Sequence, residues 1–426
     1  MTTDFQKAYE QLLSLTNLQL KQYTDSKQEL HRSMKRTRAF LNALGAPDKN
    51  LKIIHVTGTS GKGSVVNMLH EILLANGRSV ATYTSPHTTS FLERFRLNDK
   101  LIDPNKLAGY IAKVLKTYEK FLQDNSDLSF FELSTCIALY AFEKSSAQWC
   151  VLEVGCGGRF DATNVIGTPE IAIITNIDKD HTEILGSSLS QIAYEKAGII
   201  KKDGTVLCGE MRSSLKKIFT DEAIKKSAAL FFVPPPLKNI VDNNRGAHQQ
   251  HNAALARRAA LELEIDEKTI DLALKNVRNL PCRFETMQQN PLVILDGAHS
   301  PAKIKALVPM ITSLGRPVRL LFGCTATKDV KEMLDIISPI AKSITTARFS
   351  TTFRKAFNPA ILLKMVPKRK QAGYFLQAQD AFNHVKQLIE KDEIIIVTGS
   401  LFLTGELREN WVSEEDILNN RSSFND

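Results

Sequence analysis

Two kinds of residue in this chain could do chemistry. One is a lysine set among small residues, in Gly58-Thr59-Ser60-Gly61-Lys62-Gly63-Ser64. The other is a set of isolated carboxylates and imidazoles beside apolar runs. Glycines let backbone N–H groups converge on a phosphate chain, and a helix N-terminus behind them adds positive potential. Lys62 would reach the outer phosphates, and Ser64 would assist with phosphate or magnesium. The spacing differs from G-x-x-x-x-G-K-[ST], because Gly63 separates Lys62 from Ser64. Five strand-forming residues, Ile53 to Thr57, lead into the loop. A helix follows with Val65, Leu69, Ile72 and Leu73 on one face, and Asn76-Gly77 stops it. Strand, loop, lysine and helix in this order predict a nucleoside triphosphate site.

Val151-Leu152-Glu153-Val154-Gly155 places one carboxylate in an apolar strand. Burying it unpaired would cost on the order of several kcal/mol. Glu153 therefore needs a cation, either an arginine or a metal, and beside a triphosphate loop magnesium is the better reading. The following Gly155–Asn164 segment reads as a tight loop holding polar groups close to that metal. Thr175-Asn176-Ile177-Asp178-Lys179-Asp180-His181 is a second polar cluster at a strand end. Magnesium prefers oxygen to imidazole, so chemistry alone ranks His181 low as a ligand. Lys196, in the helical stretch Ser190–Ile200, reads by default as a solvated lysine.

These residues need elements to hold them. Residues 1–50 read as helices. From Leu51 to about Gly209, strands at Ile53–Thr57, Ser79–Thr84, Trp149–Val154, Glu170–Thr175 and Thr205–Cys208 alternate with helical patterns. That alternation predicts a mainly parallel sheet covered by helices. Pro234-Pro235-Pro236 breaks the pattern, and a helix resumes near Asn252. A second α/β series follows Asn279-Leu280-Pro281, with strands at Leu292–Leu295, Val318–Phe322, Ser343–Thr346 and Ile394–Thr398. The boundary is placed near residue 282, giving domains 1–282 and 283–426. The fold class is α/β: a P-loop ATPase-like first domain and a smaller Rossmann-like second one. In open α/β sheets ligands sit outside the carboxyl ends of strands. Ser85, Glu153, His181, Asp296 and Ser400 all fall at or after such ends.

Composition narrows the alternatives. The 426 residues suffice for two or three domains, and 43% hydrophobic with 24% charged residues is an ordinary globular balance. No apolar run is long enough to span a bilayer, and MTTDFQKAYEQL lacks the basic-then-apolar order of a signal peptide. Six cysteines without a C-x-x-C pair suggest buried thiols in a reducing cytosol and argue against zinc. A net charge of +9 could suit nucleic acid. The basic residues are scattered, however, and the densest cluster, Lys364 to Lys370, has no interleaved aromatics. The expectation is a cytoplasmic monomer that attracts anionic small molecules, with no nucleic-acid or membrane partner.

The strings HVTGTSGKGS, TSPH, EVGCGGRFDATN, ITNIDKDHTEILG, IAYEKAGI, HQQHNAAL, DGAHSP and VTGSLFLTGE occur in an order that resembles folylpolyglutamate and dihydrofolate synthases of the Mur ligase superfamily. The resemblance runs from about Ala39 to Arg408. It implies a first domain that binds ATP and a second that serves glutamate ligation. It implies that Gly58, Thr59, Ser60, Gly61, Lys62, Gly63 and Ser64 hold the phosphates. Ser85 and Glu153 would bind one magnesium ion, and Glu153 and His181 a second. Lys196 would carry a carbamate. In the second domain, Asn252, Arg283 and Asp296 would meet base, phosphate and ribose, while His299 and Ser400 would lie near the incoming glutamate. Lys62, Lys196 and His299 are the catalytic candidates.

The chain departs from the family pattern at Ser60, where Asn is usual, at Leu92, and at Ser300 after His299. Cys282 stands where Gly is usual, so positive φ there would strain it. The implied activity is ATP-dependent addition of L-glutamate to a folate, and to dihydropteroate, through an acyl phosphate. The rival readings are a cell-wall Mur ligase acting on UDP-linked sugars and a non-ligase NTPase.

Overall fold

The computed structural model describes residues 3–15, 27–123, 127–241, 246–326, 328–350 and 355–424. They fall into two compact units. The first holds most of the chain up to Val277, and the second runs from Arg278 onward and includes Thr88–Ser90.

The first unit is built on an eight-stranded sheet. Its strands are β1 (Lys52–Thr57), β2 (Val80–Tyr83), β3 (Phe95–Leu97), β4 (Lys100–Leu101), β5 (Trp149–Glu153), β6 (Ile171–Ile174), β7 (Thr205–Cys208) and β8 (Ala229–Phe232). The order is β4-β3-β2-β5-β1-β6-β7-β8, parallel except at the β2–β3 and β3–β4 pairs. Helices cover both faces of the central strands, which is why β5 is apolar up to Glu153 and β1 is buried from Ile53 to Thr57. The helix Lys62–Ala75 buries Val65, Val66, Leu69, Ile72 and Leu73 against that sheet. Each such side chain contributes about 1.5–3 kcal/mol of burial.

The second unit has six strands: β9 (Glu285–Gln289), β10 (Leu292–Asp296), β11 (Val318–Phe322), β12 (Ala341–Ala347), β13 (Gln371–Phe375) and β14 (Ile394–Thr398). Their order is β13-β12-β11-β14-β10-β9, with only β9 antiparallel. Register decides what the strand ends bring together. Val56 pairs with Glu153 and Thr57 with Ile174, so β5 and β6 both end beside the loop that leaves β1. Asp296 pairs with Thr398, which sets the loops after β10 and β14 side by side.

The strands foreseen in the sequence are present, with ends shifted by one or two residues. The edge strands β4, β8, β9 and β13, and the short β3 next to one of them, were not foreseen. Cys282, whose strain was made conditional on a positive φ, does take one, at +54°, followed by +50° at Phe284. The turn is held by the Cys282 amide on Glu285 Oε2 at 2.7 Å. Glu285 is in turn clamped by the fully buried Arg408 through contacts of 2.9 to 3.1 Å.

Candidate active site

The phosphate loop is laced to the segment after β6. Thr59 donates its amide to Asn176 O at 2.9 Å, Ser60 donates its amide to Asn176 Oδ1 at 2.8 Å, and Thr175 Oγ1 donates to Ser60 O at 2.6 Å. Thr59 Oγ1 both accepts from the Asp178 amide and donates to its carbonyl. Gly58, at φ +152°, has no room for a side chain: a Cβ would stand 1.7 Å from Thr175 Oγ1. Gly61, at φ +83°, opens the helix Lys62–Ala75 with no side-chain cap. First-turn amides without a cap are the donors an anion needs. The residues present therefore fit a triphosphate.

Two lysines meet on this loop. Lys62 Nζ donates to Gly58 O at 3.0 Å and Lys196 Nζ donates to the same oxygen at 2.9 Å. Lys196 is only 3% exposed, which corrects its default reading as a solvated lysine. The cause is packing between the helix Leu189–Ala197 and the loop after β5. A Cβ on Gly158 would lie 2.9 Å from Glu195 O and 3.2 Å from Lys196 Cα, and one on Gly198 would lie 2.3 Å from Arg159 Cα. Arg159 donates its amide to Glu195 O at 2.7 Å. Only glycines permit so close an approach.

The rest of that loop serves itself. Asp161 accepts from the Cys156 and Thr163 amides and from Thr163 Oγ1, at 2.6 to 3.0 Å. Burial raises its carboxyl pKa against those bonds. Its carboxylate therefore shapes the loop rather than facing a metal. Burial also pushes the Cys156 thiol up to about 12, so it is no nucleophile at neutral pH.

Asn252 is corrected in place. It lies in the first unit, on the helix Ala247–Glu262, not in the second domain. A Cβ on Gly61 would meet its Oδ1 at 2.3 Å, and its Nδ2 donates to Gln249 Oε1 at 3.0 Å. Gln249 then donates to Ser64 Oγ at 3.1 Å. This strut under the phosphate loop was not visible in the sequence, because it joins segments 185 residues apart.

Glu153 is buried at the end of β5 and accepts from the Ser85 amide at 3.2 Å. Among the described residues, no three His, Cys, Asp or Glu side chains gather as a metal-holding group. Magnesium, however, characteristically takes one or two carboxylates, and phosphates and water complete its shell. A lone buried carboxylate beside a triphosphate loop and a serine fits that pattern. His181 sits at φ +52° before the short helix Thr182–Leu185, with its amide on Asp180 Oδ1. The segment leading to it is held at Ile177 by a clamp the sequence did not suggest. Glu210 accepts the Ile177 amide at 3.2 Å and a paired contact from Arg212, and Arg212 also donates to Ile177 O. Burial opposes ionisation of Glu210, but the Arg212 bonds hold its carboxyl below the usual range.

In the second unit Asp296 accepts from the Phe284 and Ala298 amides, each at 2.9 Å. Burial raises its pKa, and Arg283 opposes the shift. Arg283 passes over Gly297, where a Cβ would come within 2.9 Å of its Nη1. Ser400 is buried and caps the helix Leu401–Arg408 by accepting the Phe402 amide at 3.1 Å. His299 Nδ1 lies 2.7 Å from Gly297 O and its Nε2 2.8 Å from Lys303 Nζ.

The Mur ligase middle domain model matches residues 56–229, and the Mur ligase, glutamate ligase domain model matches residues 282–401. A dihydrofolate synthase/folylpolyglutamate synthase of Buchnera aphidicola subsp. Acyrthosiphon pisum is 31% identical, over 83% of this chain and 88% of that one. The chain belongs to the dihydrofolate synthase/folylpolyglutamate synthase family of Mur ligases. It spans 50% of the length of a 26% identical Haloferax volcanii relative, named a probable bifunctional folylpolyglutamate synthase/dihydropteroate synthase, and that match covers 96% of this chain. E. coli FolC in complex with DHPP and ADP is 25% identical with a TM-score of 0.81, covering 97% of this chain and 98% of its own. A bifunctional folylpolyglutamate synthase/dihydrofolate synthase with Mn, AMPPNP and L-glutamate bound is 25% identical with a TM-score of 0.80, covering 96% and 99%.

As a Mur ligase, the first unit brings Lys62, Lys196, Ser85 and Glu153 to the carboxyl ends of four neighbouring strands, β2, β5, β1 and β6. The second unit separately brings Arg283, Asp296, His299 and Ser400 to the ends of β10 and β14. A ranking of the candidate metal residues follows. Glu153→Gln is expected to raise the magnesium requirement and lower the rate. His181→Ala is expected to be milder at saturating magnesium, since water can replace imidazole there. Rate measured against magnesium concentration for both variants checks this, and a worse His181 variant would reverse the ranking.

Proposed function

We propose that the protein is an ATP-dependent carboxylate–amine ligase that adds L-glutamate to folates and to dihydropteroate. The observation that carries this reading is the convergence of Lys62 and the distant Lys196 on one phosphate-loop carbonyl, beside the buried Glu153 and Ser85. A plain NTPase needs the loop lysine and has no use for the second. The relatives that hold DHPP with ADP, and AMPPNP with L-glutamate, support the same substrates here.

A substrate carboxylate oxygen attacks the γ-phosphorus, and ADP leaves. The amine nitrogen of glutamate then attacks the acyl carbon, forming the amide as phosphate departs. Lys62 and the loop amides offset the charge that builds as two anions meet. Magnesium bound by Ser85 and Glu153, with Glu153 and His181 holding a second ion, would neutralise phosphate charge. Lys196 acts as a carbamate. Asn252, Arg283 and Asp296 address base, phosphate and ribose, and His299 and Ser400 stand near the glutamate. Residues 1–282 form the ATP-binding domain and 283–426 the glutamate-ligase domain, in a cytoplasmic monomer. Six free cysteines agree with a reducing compartment, and no helix among the described residues is long and apolar enough to cross a membrane.

The test is ADP release with dihydropteroate and with tetrahydrofolate, each with and without L-glutamate. Sustained ADP turnover is expected to need both a pteridine and the amino acid, the pteridine alone giving no more than a single turnover of acyl phosphate and ADP. Sustained turnover without either would refute the ligase.

A further inference from the structure

Two side chains of the buried strand β1 are polar, His55 and Thr57, and both are fully buried. Two residues apart on a strand, they point to the same face of the sheet. Each holds one end of the loop after β5. Thr57 Oγ1 donates to Gly157 O at 2.6 Å, and His55 Nε2 lies 2.8 Å from Thr163 Oγ1. The Thr163 hydroxyl has one hydrogen, and it goes to Asp161 Oδ1 at 2.6 Å. Its oxygen is left to accept, so His55 carries its hydrogen on Nε2. Nδ1 has no hydrogen-bond partner among the described residues, so nothing there competes for that hydrogen. Burial and the Lys201 charge push the His55 pKa down to about 3, which keeps the ring neutral.

The chain from His55 through Thr163 and Asp161 ends on the Cys156 amide at 2.9 Å, so it joins the two ends of the loop over β1. The middle of the loop receives the helix Leu189–Ala197, through the Arg159 amide on Glu195 O and the close approaches at Gly158 and Gly198. Asn164, the residue after Thr163, adds a second tie. Its Nδ2 donates to Gly198 O at 3.0 Å and to Arg159 O at 3.1 Å. Lys196 then returns to Gly58 O, one residue after Thr57. β1 therefore sets the loop, the loop sets the helix, and the helix sets Lys196 against the phosphate loop that β1 leads into. A strand covered on both faces has no need of polar side chains for its own burial. A buried polar chain whose members bond one another makes such an arrangement rigid.

We propose that His55 and Thr163 are positioning residues for Lys196, acting through the loop after β5. The kinetic part of the test rests on the ligase reading. Thr163→Val is nearly isosteric and removes only the hydroxyl. It is expected to lower kcat about 10- to 100-fold, the range for a small misplacement of a reacting group, with KM for ATP unmoved. His55→Leu should do the same. Thr163→Ser restores the hydroxyl and His55→Gln an N–H donor at the place of Nε2, so both should return to within about threefold of the parent. Trace acetylation in carbon dioxide-free buffer, read by mass spectrometry, follows Lys196 itself. In Thr163→Val, Lys196 should label at least about threefold faster relative to the other lysines, as expected when a segment opens locally. Unchanged kcat in both Thr163→Val and His55→Leu would overturn the proposal, and so would a kcat loss with Lys196 labelled at the parent rate. Labelling needs no turnover, so a parent enzyme inert toward pteridine and glutamate would defeat the ligase alone.

Discussion

Replacing Lys62 with alanine should lower ligation about 100- to 1000-fold with the fold unchanged, because it removes a positioned cation worth several kcal/mol where phosphate charge develops. The fold should survive for a structural reason. Lys62 makes one bond to Gly58 O, and the loop keeps its shape through the Thr59, Ser60 and Thr175 contacts instead. Circular dichroism and thermal unfolding should match the parent while ADP release collapses. Lys62→Arg should recover little, since a planar guanidinium replaces a compact ammonium in a loop shaped by close backbone contacts. Near-normal turnover by the alanine variant would defeat the phosphate-loop assignment.

That loop was legible in the sequence because its signal is local: strand, glycines, lysine and helix within about twenty residues. The strands β1, β5, β10 and β14 were legible for a related reason, since a sheet covered on both faces writes itself as apolar runs. The edge strands were not. β9 (Glu285–Gln289) is mostly polar, and β13 (Gln371–Phe375) carries a glycine and exposed residues, so neither has the pattern of a buried strand. Residues whose role depends on distant partners were the least visible. Nothing around Lys196 in sequence shows that glycines of a loop nearly forty residues earlier will draw its helix inward. The place of Asn252 was likewise hidden, because the strut through Gln249 to Ser64 is tertiary. His299 shows the limit from the other side: its motif was recognised, but the contacts of its ring with Gly297 O and Lys303 Nζ could not be read from it.

Lys196→Ala and Lys196→Arg should both be inactive, with losses on the order of 1000-fold, because several kcal/mol of charge stabilisation are withdrawn. As ammonium ions, Lys196 and Lys62 share Gly58 O, so their nitrogens lie within about 6 Å of each other and repel by roughly 3 kcal/mol at an effective dielectric of 20. Carbamate formation reverses that sign. The neutral amine would attack the carbon of carbon dioxide and lose a proton, leaving an anionic oxygen pair suited to magnesium. Arginine keeps the charge and cannot make this change at neutral pH, so it should be as poor as alanine. Acetate or another short carboxylate should partly restore the alanine variant by supplying the missing anion, and it should do nothing for the arginine variant, which fills the space with a cation. Removing carbon dioxide from the buffer should slow the parent enzyme and leave both variants where they were. An active arginine variant would return Lys196 to the role of a buried ammonium that only braces the phosphate loop, and so would a nucleotide-bound crystal structure with an unmodified amine.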